Sequence, residues 1–318
     1  MNKVVSILGP TATGKTDLAI SLCKKFNGEI ISVDSRQAYK EMNIGTGKSF
    51  SDGSVPIHLY DVVHPGEQLN AQTFAEGAWK KIEEIISKNK VPFLVGGSAF
   101  YFDVILGRRI LSGVGADTKL REELENLSTE ELIKRLGTLS PQKLETIDIH
   151  NRYRLVRAIE VSTGEKDPSG PYVPPPAAPD AQHLRAGQDD GKGEERRVLR
   201  NTLILGLTAE NLYLYKRADE RVDDMVKRGL IEEVISLYKR YSWDAPGLKT
   251  LGYREFKPYF EGIASLEDAV QKLKFGTHAY IRRQKTYFKK YFSDALWLDV
   301  SKPGFDEVIA SRVESLLK

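Results

Sequence analysis

One stretch near the start of this chain constrains its fold more than any other. Val4-Val5-Ser6-Ile7-Leu8 is an apolar run, followed at once by Gly9-Pro10-Thr11-Ala12-Thr13-Gly14-Lys15-Thr16 and the helical pattern Asp17-Leu18-Ala19-Ile20-Ser21-Leu22. An apolar strand of this kind belongs in a parallel sheet buried on both faces. The loop has the Walker A form G-x4-G-K-T. Its glycines let the backbone turn so that several N–H groups face one anion. The helix N-terminus adds its dipole, and Lys15 adds a point charge. The Thr16 hydroxyl is placed to ligate Mg²⁺. Strand, anion loop and helix in this order imply an α/β fold and a ligand carrying a di- or triphosphate.

The remaining strand candidates agree. Glu29–Val33 ends at Asp34, and Val91–Val95 stops at Gly96-Gly97. Ile57–Val62, Thr202–Leu207 and Ala295–Val300 read as further strands, and Thr73–Ser87 as an amphipathic helix. Strands alternating with helices predict a doubly wound sheet. From about Asp117 to Gly164 the pattern becomes helical throughout, with Leu120, Leu124, Leu127, Leu132, Leu136 and Leu139 supplying apolar faces. Asp167–Glu195 is rich in Pro, Gly, Ala and charge. It has little to bury and reads as a flexible loop or linker.

Composition excludes several classes. With 318 residues, 41% hydrophobic and 29% charged, the chain is neither disordered nor fibrous, and its length suits two domains or one domain with an insertion. The single cysteine, Cys23, excludes an internal disulfide and a Cys-based zinc cluster, and fits a reducing compartment. No apolar run approaches the ~18 residues of a membrane span. The sequence MNKVVSILGP enters a strand directly, with no signal or transit peptide, so a cytoplasmic location is expected.

The net charge of +3, from 47 Lys+Arg against 44 Asp+Glu, is too mild to argue for nucleic acid, so its distribution must decide. Gln271–Tyr291 carries Lys272, Lys274, Arg282, Arg283, Lys285, Lys289 and Lys290 and no acid. In the same segment Tyr280, Tyr287, Phe288 and Tyr291 fall on one helical face. An aromatic stripe alone indicates core. Flanked by cations, it describes a helix docked on the protein with an edge suited to a phosphate backbone.

Other residues are placed for chemistry. Asp34, at the carboxyl end of a parallel strand, faces the ligand crevice. It is suited to hold Mg²⁺ through water, to take a proton from a nucleophile, or to cap a following helical turn. Arg36 and Gln37 stand close enough to read a polar group beside it. Gly96-Gly97 permits close backbone approach, and Ser98 offers a hydroxyl at the crevice. Because that strand ends in glycine instead of an acid, the sequence argues against a motor ATPase or helicase. Arg154 and Arg157 share a helical face, as do Arg217 and Arg221; a reaction with a diphosphate leaving group wants such cations over the loop.

Together these pieces resemble the tRNA dimethylallyltransferase family, also called tRNA isopentenyltransferases. The matching segments are Gly9–Thr16, Val33–Lys48, Leu94–Tyr101, Arg152–Gly164, Tyr215–Val234, Leu248–Phe256 and Thr277–Tyr291. They run in family order over nearly the whole chain. The resemblance implies a P-loop-kinase-like parallel sheet with flanking helices and an inserted helical domain. Residues 1–115 and 197–318 would form the core, and 116–196 the insertion, ending in the Pro/Gly-rich loop at about 167–196. It implies transfer of a dimethylallyl group from dimethylallyl diphosphate to N6 of the adenosine 3′-adjacent to the anticodon of tRNA, with Mg²⁺ as cofactor and a monomeric state.

By the same resemblance, Asp34, Lys15, Thr16, Ser98 and Arg217 are catalytic. Gly9, Pro10, Thr11, Ala12, Thr13, Gly14, Lys15, Thr16 and Arg221 hold the diphosphate, with Thr16 as the metal ligand. Asp34, Ser35, Arg36, Gln37, Ser98, Tyr153, Arg154, Arg157, Thr250, Gly252, Tyr253, Arg254, Thr277, Arg282, Arg283 and Gln284 contact tRNA. The sequence departs from the family pattern at Ser98, where most members carry Thr, and at Asn151-Arg152-Tyr153-Arg154, where Asp-Pro-Gln-Arg is usual. The single cysteine excludes the zinc finger of eukaryotic members. Three other readings compete: an adenylate isopentenyltransferase acting on free AMP, a small-molecule P-loop kinase, and a non-catalytic RNA-binding module.

Overall fold

The computed structural model describes residues 3–49, 53–109, 111–112, 114–115, 117–164 and 202–318. The Asp167–Glu195 segment lies outside them. Two compact units are present, one of Met1–Arg108 with Asp180–Lys318 and one of Arg109–Pro179.

The larger unit is a six-stranded parallel sheet with helices on both faces. In chain order its elements are β1 (Val4–Leu8), α1 (Lys15–Phe26), β2 (Gly28–Ser32), β3 (Ile57–His58), α2 (Ala71–Ser87), β4 (Val91–Gly96) and α3 (Ala99–Ile105). The four helices of the smaller unit come next: α4 (Thr118–Glu125), α5 (Thr129–Leu139), α6 (Pro141–Thr146) and α7 (Arg152–Gly164). The sheet unit resumes with β5 (Thr202–Thr208), α8 (Asn211–Lys227), α9 (Leu230–Arg240), α10 (Lys257–Phe260), α11 (Leu266–Tyr291), β6 (Leu296–Asp299) and α12 (Phe305–Leu317).

The strand order is β3-β2-β4-β1-β5-β6. From β1 the chain crosses to β2, and β4 later returns into the gap. The path then moves to the other side of β1 for β5 and β6. Winding therefore reverses between β1 and β4, and ligands of open α/β sheets bind outside the carboxyl ends of the strands at such a point. Side chains alternate across the pleat. Val4 and Leu8 join Phe74, Ile82, Phe102 and Phe288 on one face, while Val5 and Ile7 join Leu22, Leu214, Ile281 and Ile309 on the other. Burial on both faces is why β1 had to be apolar at successive positions.

Two boundaries differ from the sequence reading by two residues or more. The third strand stops after His58 because Leu59 and Asp61 take positive φ (66° and 57°) and turn the chain out of the sheet. Helix α2 starts at Ala71, where the Asn70 side chain accepts from the Gln72 N–H. The smaller unit is packed by Leu120, Leu124, Leu132, Leu136, Leu155 and Ile159. Its α5 opens with a capping box between Ser128 and Glu131. Among the described residues, no helix is long and apolar enough to cross a membrane.

Candidate active site at the carboxyl ends of β1, β2 and β4

The Walker loop leaves β1 through Gly9, whose φ is 149°. A Cβ there would stand 2.3 Å from the Leu207 carbonyl oxygen on β5, so only glycine fits. Gly14, at φ 80°, caps α1. Between them Thr13 Oγ1 donates to the Pro10 carbonyl at 2.9 Å. Lys15 Nζ donates to the same carbonyl at 2.6 Å and meets Thr13 Oγ1 at 3.3 Å. Ala12 holds φ 68°. Thr16 lies half-buried in the first turn of α1.

Asp34 follows β2 and is buried. It caps a turn, not a helix: its Oδ1 accepts from the Arg36 N–H at 3.0 Å, and its Oδ2 lies 3.5 Å from the Arg36 guanidinium. Ser98, after β4, supports this turn. Its Oγ accepts from the Ser35 N–H at 3.0 Å and lies 3.3 Å from Ser35 Oγ. Gly96 is required because a Cβ would come 2.0 Å from the Val33 carbonyl oxygen. Gln37 accepts from Ser32 Oγ at 2.8 Å and donates to the Gly47 carbonyl at 3.1 Å.

Two arginines of α8 approach the loop differently. Arg221 is the inner one: its Nη1 reaches Thr11 Oγ1 at 3.4 Å and its Nη2 the Gly47 carbonyl at 3.1 Å. No side chain fits under it at Gly47, where a Cβ would stand 1.6 Å from the guanidinium. Arg217 is the outer one, exposed and bonded to Tyr213 Oη at 3.2 Å, with its guanidinium beside Gly14.

Lys15, Arg36 and Arg221, each half-buried, thus crowd one space with the buried Asp34 as their shared counter-charge. Burial pulls the Lys15 ammonium down to about 7, with Asp34 opposing and Arg221 and Arg36 adding to the fall. Burial also lowers Arg221, and Arg36 adds to that. Arg36 goes the other way. Burial would lower it, but Asp34 and Tyr280 hold it above its ordinary value. A pocket beside these cations is lined by Thr11, Arg36 and Arg221 together with Val222, Met225 and Leu273.

Several residues expected to touch RNA are committed elsewhere. Gln284 is buried, accepting from the Thr11 N–H at 2.9 Å and donating to the Gly97 carbonyl at 2.8 Å. Tyr253 is fully buried and donates to Glu233 at 2.7 Å. Both point inward because the packing of their elements, which a motif does not encode, turns them to the core. Thr277 and Thr250 donate to the carbonyls of Leu273 and Gly247, at 2.8 and 2.7 Å. Gly252, at φ 108°, has a backbone that passes too close to the Gly45 carbonyl for any Cβ. Arg254, Arg282 and Arg283 are exposed; Arg254 pairs with Glu255 at 2.7 Å, and Arg282 donates to Tyr215 Oη at 2.9 Å.

In the smaller unit, Arg157 is bound to Glu160 and donates to the Val114 carbonyl at 2.6 Å, so it braces that unit. Arg154 is exposed, 3.9 Å from Asp148, and Tyr153 is exposed.

The sequence reading missed two residues. Tyr280 was assigned to the core stripe, yet its ring lies 4.8 Å under the Arg36 guanidinium and its hydroxyl bonds Ser98. Its position four residues before Gln284 was the available signal. Glu233 on α9 accepts from the N–H groups of Asn43, Ile44 and Gly45 at 2.9, 2.8 and 3.0 Å. It thereby fixes the loop whose Gly47 carbonyl receives Gln37 and Arg221. No local pattern marked it.

Three partly enclosed cations and one carboxylate at a glycine-rich loop have the chemistry to meet a diphosphate and a proton beside it, and the chain as a whole is similar to known proteins. A family model described as IPP transferase matches residues 37–291, and one described as isopentenyl transferase matches residues 2–62. The tRNA dimethylallyltransferase of Roseiflexus sp. (strain RS-1) is 38% identical over 299 residues, covering 91% of each chain. That of Bacillus cereus (strain G9842) is 37% identical over 325 residues, covering 99% of this chain and 96% of the relative. The crystal structure of the full-length tRNA isopentenylpyrophosphate transferase from Bacillus halodurans superposes with a TM-score of 0.70 at 31% identity, covering 100% of this chain and 97% of that one. A eukaryotic dimethylallyltransferase acting on tRNA superposes with a TM-score of 0.75 at 27% identity, covering 94% of this chain and 74% of that one. With the model spanning most of its length and relatives 37 and 38% identical across nearly all of it, the chain belongs to the IPP transferase family.

Proposed function

We propose that this protein is a tRNA dimethylallyltransferase. It moves the dimethylallyl group of dimethylallyl diphosphate to N6 of the adenosine 3′-adjacent to the anticodon and releases diphosphate. The observation that carries this reading is the gathering of Lys15, Arg36 and Arg221 at the Walker loop with Asp34 as their shared carboxylate. A surplus of buried cation is costly unless an anion completes it. The apolar residues in the lining of the pocket suit a donor with a short hydrocarbon tail.

In the reaction, the allylic C–O bond breaks with its electron pair going to the diphosphate. Lys15, Arg221 and the outer Arg217 neutralise that charge as it develops. The N6 lone pair, delocalised into adenine, is a weak nucleophile. Asp34 orients the amine and takes its proton as the N–C bond forms. Ser98 and Arg36 hold the Asp34 turn in place. The target base must leave its stack to enter the crevice, which costs a few kcal/mol.

The donor set fits Mg²⁺. Thr16 offers a hydroxyl at the Walker loop, and the oxygens of the diphosphate and water would supply the rest of the shell of the ion. Bound there, the ion would add positive charge to the leaving group. A tRNA substrate suits a cytoplasmic location, and the enzyme is proposed to act as a monomer. Arg282 and Arg283, exposed on α11, supply contacts to the phosphate backbone.

The test is incubation with radiolabelled dimethylallyl diphosphate, Mg²⁺ and unmodified bulk tRNA, with AMP in parallel. Label in tRNA is the expected result. Label in AMP alone, or in neither acceptor, would sink this reading.

A further inference from the structure

We propose that Gln284 is a positioning residue for this transfer: it clamps the donor-side Walker loop to the acceptor-side turn after β4 and so sets the distance between the reacting groups. The proposal rests on the function inferred above. The side chain is 5% exposed, and both ends of its amide are in use. Oε1 accepts from the Thr11 N–H at 2.9 Å, and Nε2 donates to the Gly97 carbonyl at 2.8 Å. A Cβ at Gly97 would lie 2.3 Å from that Nε2 and 3.4 Å from the Gly9 carbonyl oxygen, so the two loops and the amide meet at one point. Only a group with a donor and an acceptor at opposite ends satisfies both backbone partners; an apolar replacement leaves each buried and unpaired.

Its neighbours on the helix extend the same contact. Tyr280, one turn earlier, bonds Ser98 and underlies Arg36. Tyr287, three residues later, donates to Asp103 of α3 at 2.6 Å. The inner face of α11 therefore grips the turn after β4 at two points and α3 at a third, and through Gln284 it also grips the Walker loop. Arg282 and Arg283, adjacent in sequence, are exposed. The basic helix thus does two things: its exposed residues present cations, and its inner face fixes the site.

A misplacement of about 1 Å between reacting groups costs on the order of 10²-fold in rate. Gln284→Met, similar in length but without the amide, is therefore expected to lower the single-turnover transfer constant by roughly 10²-fold at saturating substrates, with the Kd for tRNA unchanged. In Gln284→Glu the introduced carboxyl still accepts from Thr11 but donates to Gly97 only when protonated. Its rate relative to the parent should therefore rise as pH is lowered from about 8 to about 6. The parent enzyme and both variants are assayed together, with a melting curve for each. A folded Gln284→Met that transfers at the parent rate overturns the proposal, as does a loss of rate matched by a loss of tRNA affinity. If Gln284→Met does not fold, a Gln284→Glu rate that tracks the parent at every pH overturns it. Absence of transfer by the parent enzyme would instead refute the functional reading itself.

Discussion

Two groups of arginines in this molecule make a useful contrast. In the helical unit, Arg121 and Arg157 converge on Glu160, whose side chain is 1% exposed. Arg121 Nε and Nη2 each donate to it at 2.9 Å, and the Asp117 N–H at 2.6 Å. Burial would raise the Glu160 carboxyl, but Arg121 and Arg157 hold it below its ordinary value. That cluster is complete. At the Walker loop, Lys15, Arg36 and Arg221 share Asp34, and burial drives Lys15 toward neutrality. Both gather cations around one carboxylate, but two arginines close on Glu160, whereas three cations share Asp34 and leave room for an anion from outside. Buried cations mark a ligand site only where the protein supplies too few carboxylates for them.

Replacing the shared carboxylate tests the open cluster hardest. Asp34→Asn should keep the turn and leave tRNA affinity unchanged while turnover falls by roughly 10²–10⁴-fold; an unchanged rate removes Asp34 as the base. The closed cluster should answer in stability alone. Glu160→Gln strands two arginines and should cost about 3 kcal/mol in a denaturant melt, with no change in diphosphate binding. Its folded-state pKa is depressed. The stabilisation is therefore present above the ordinary carboxylate range and lost as pH falls through it, and the substitution should flatten that loss. Exposed arginines form a third case. Neutralising Arg282 and Arg283 should reduce the slope of log affinity for tRNA against log salt by about 1 for each residue. An unchanged slope takes α11 off the phosphate backbone.

The smallest expected signal belongs to Lys15. With its pKa near 7, it is charged below that pH and neutral above it in the free protein. An arriving diphosphate raises that pKa, so binding above pH 7 should take up as much as about one proton, and below it almost none. Calorimetry in buffers of different ionisation enthalpy measures this, and Lys15→Met should abolish it.

The Walker loop could be read from the sequence because its geometry is local: Gly9 and Gly14 bend the chain wherever the rest of it goes. Asp34 was legible for a related reason, since the end of a parallel strand has only one place to point. Gly96 and Gly97 announced a close approach, and the Val33 carbonyl and Gln284 are what approach. Orientation on a helix was harder to read. Gln284 and Arg283 are neighbours in one motif, yet one is buried and the other exposed, because inward and outward are decided by α11 packing on α3 and α8. Arg157 reads as a cation for RNA, and its bond to Glu160, three residues on, is a structural tie that the motif does not announce. Glu233 was invisible, since an acid on an amphipathic helix is ordinary and its partners lie about 190 residues earlier. The early end of β3 was hidden as well, because Leu59 and Asp61 carry no glycine to advertise their positive φ.

The bond from Thr11 to Gln284 spans 273 positions of the chain. During synthesis the first strand and its loop leave the ribosome long before β4 and β5 can flank them, and α11 comes later still. Chains emerge at roughly 5–20 residues per second, so this interval lasts tens of seconds. A nascent chain in that interval carries the whole Walker sequence without the clamp that shapes it. The signature is made 273 residues ahead of the side chain that clamps it, and the site it names is assembled only after that side chain has emerged.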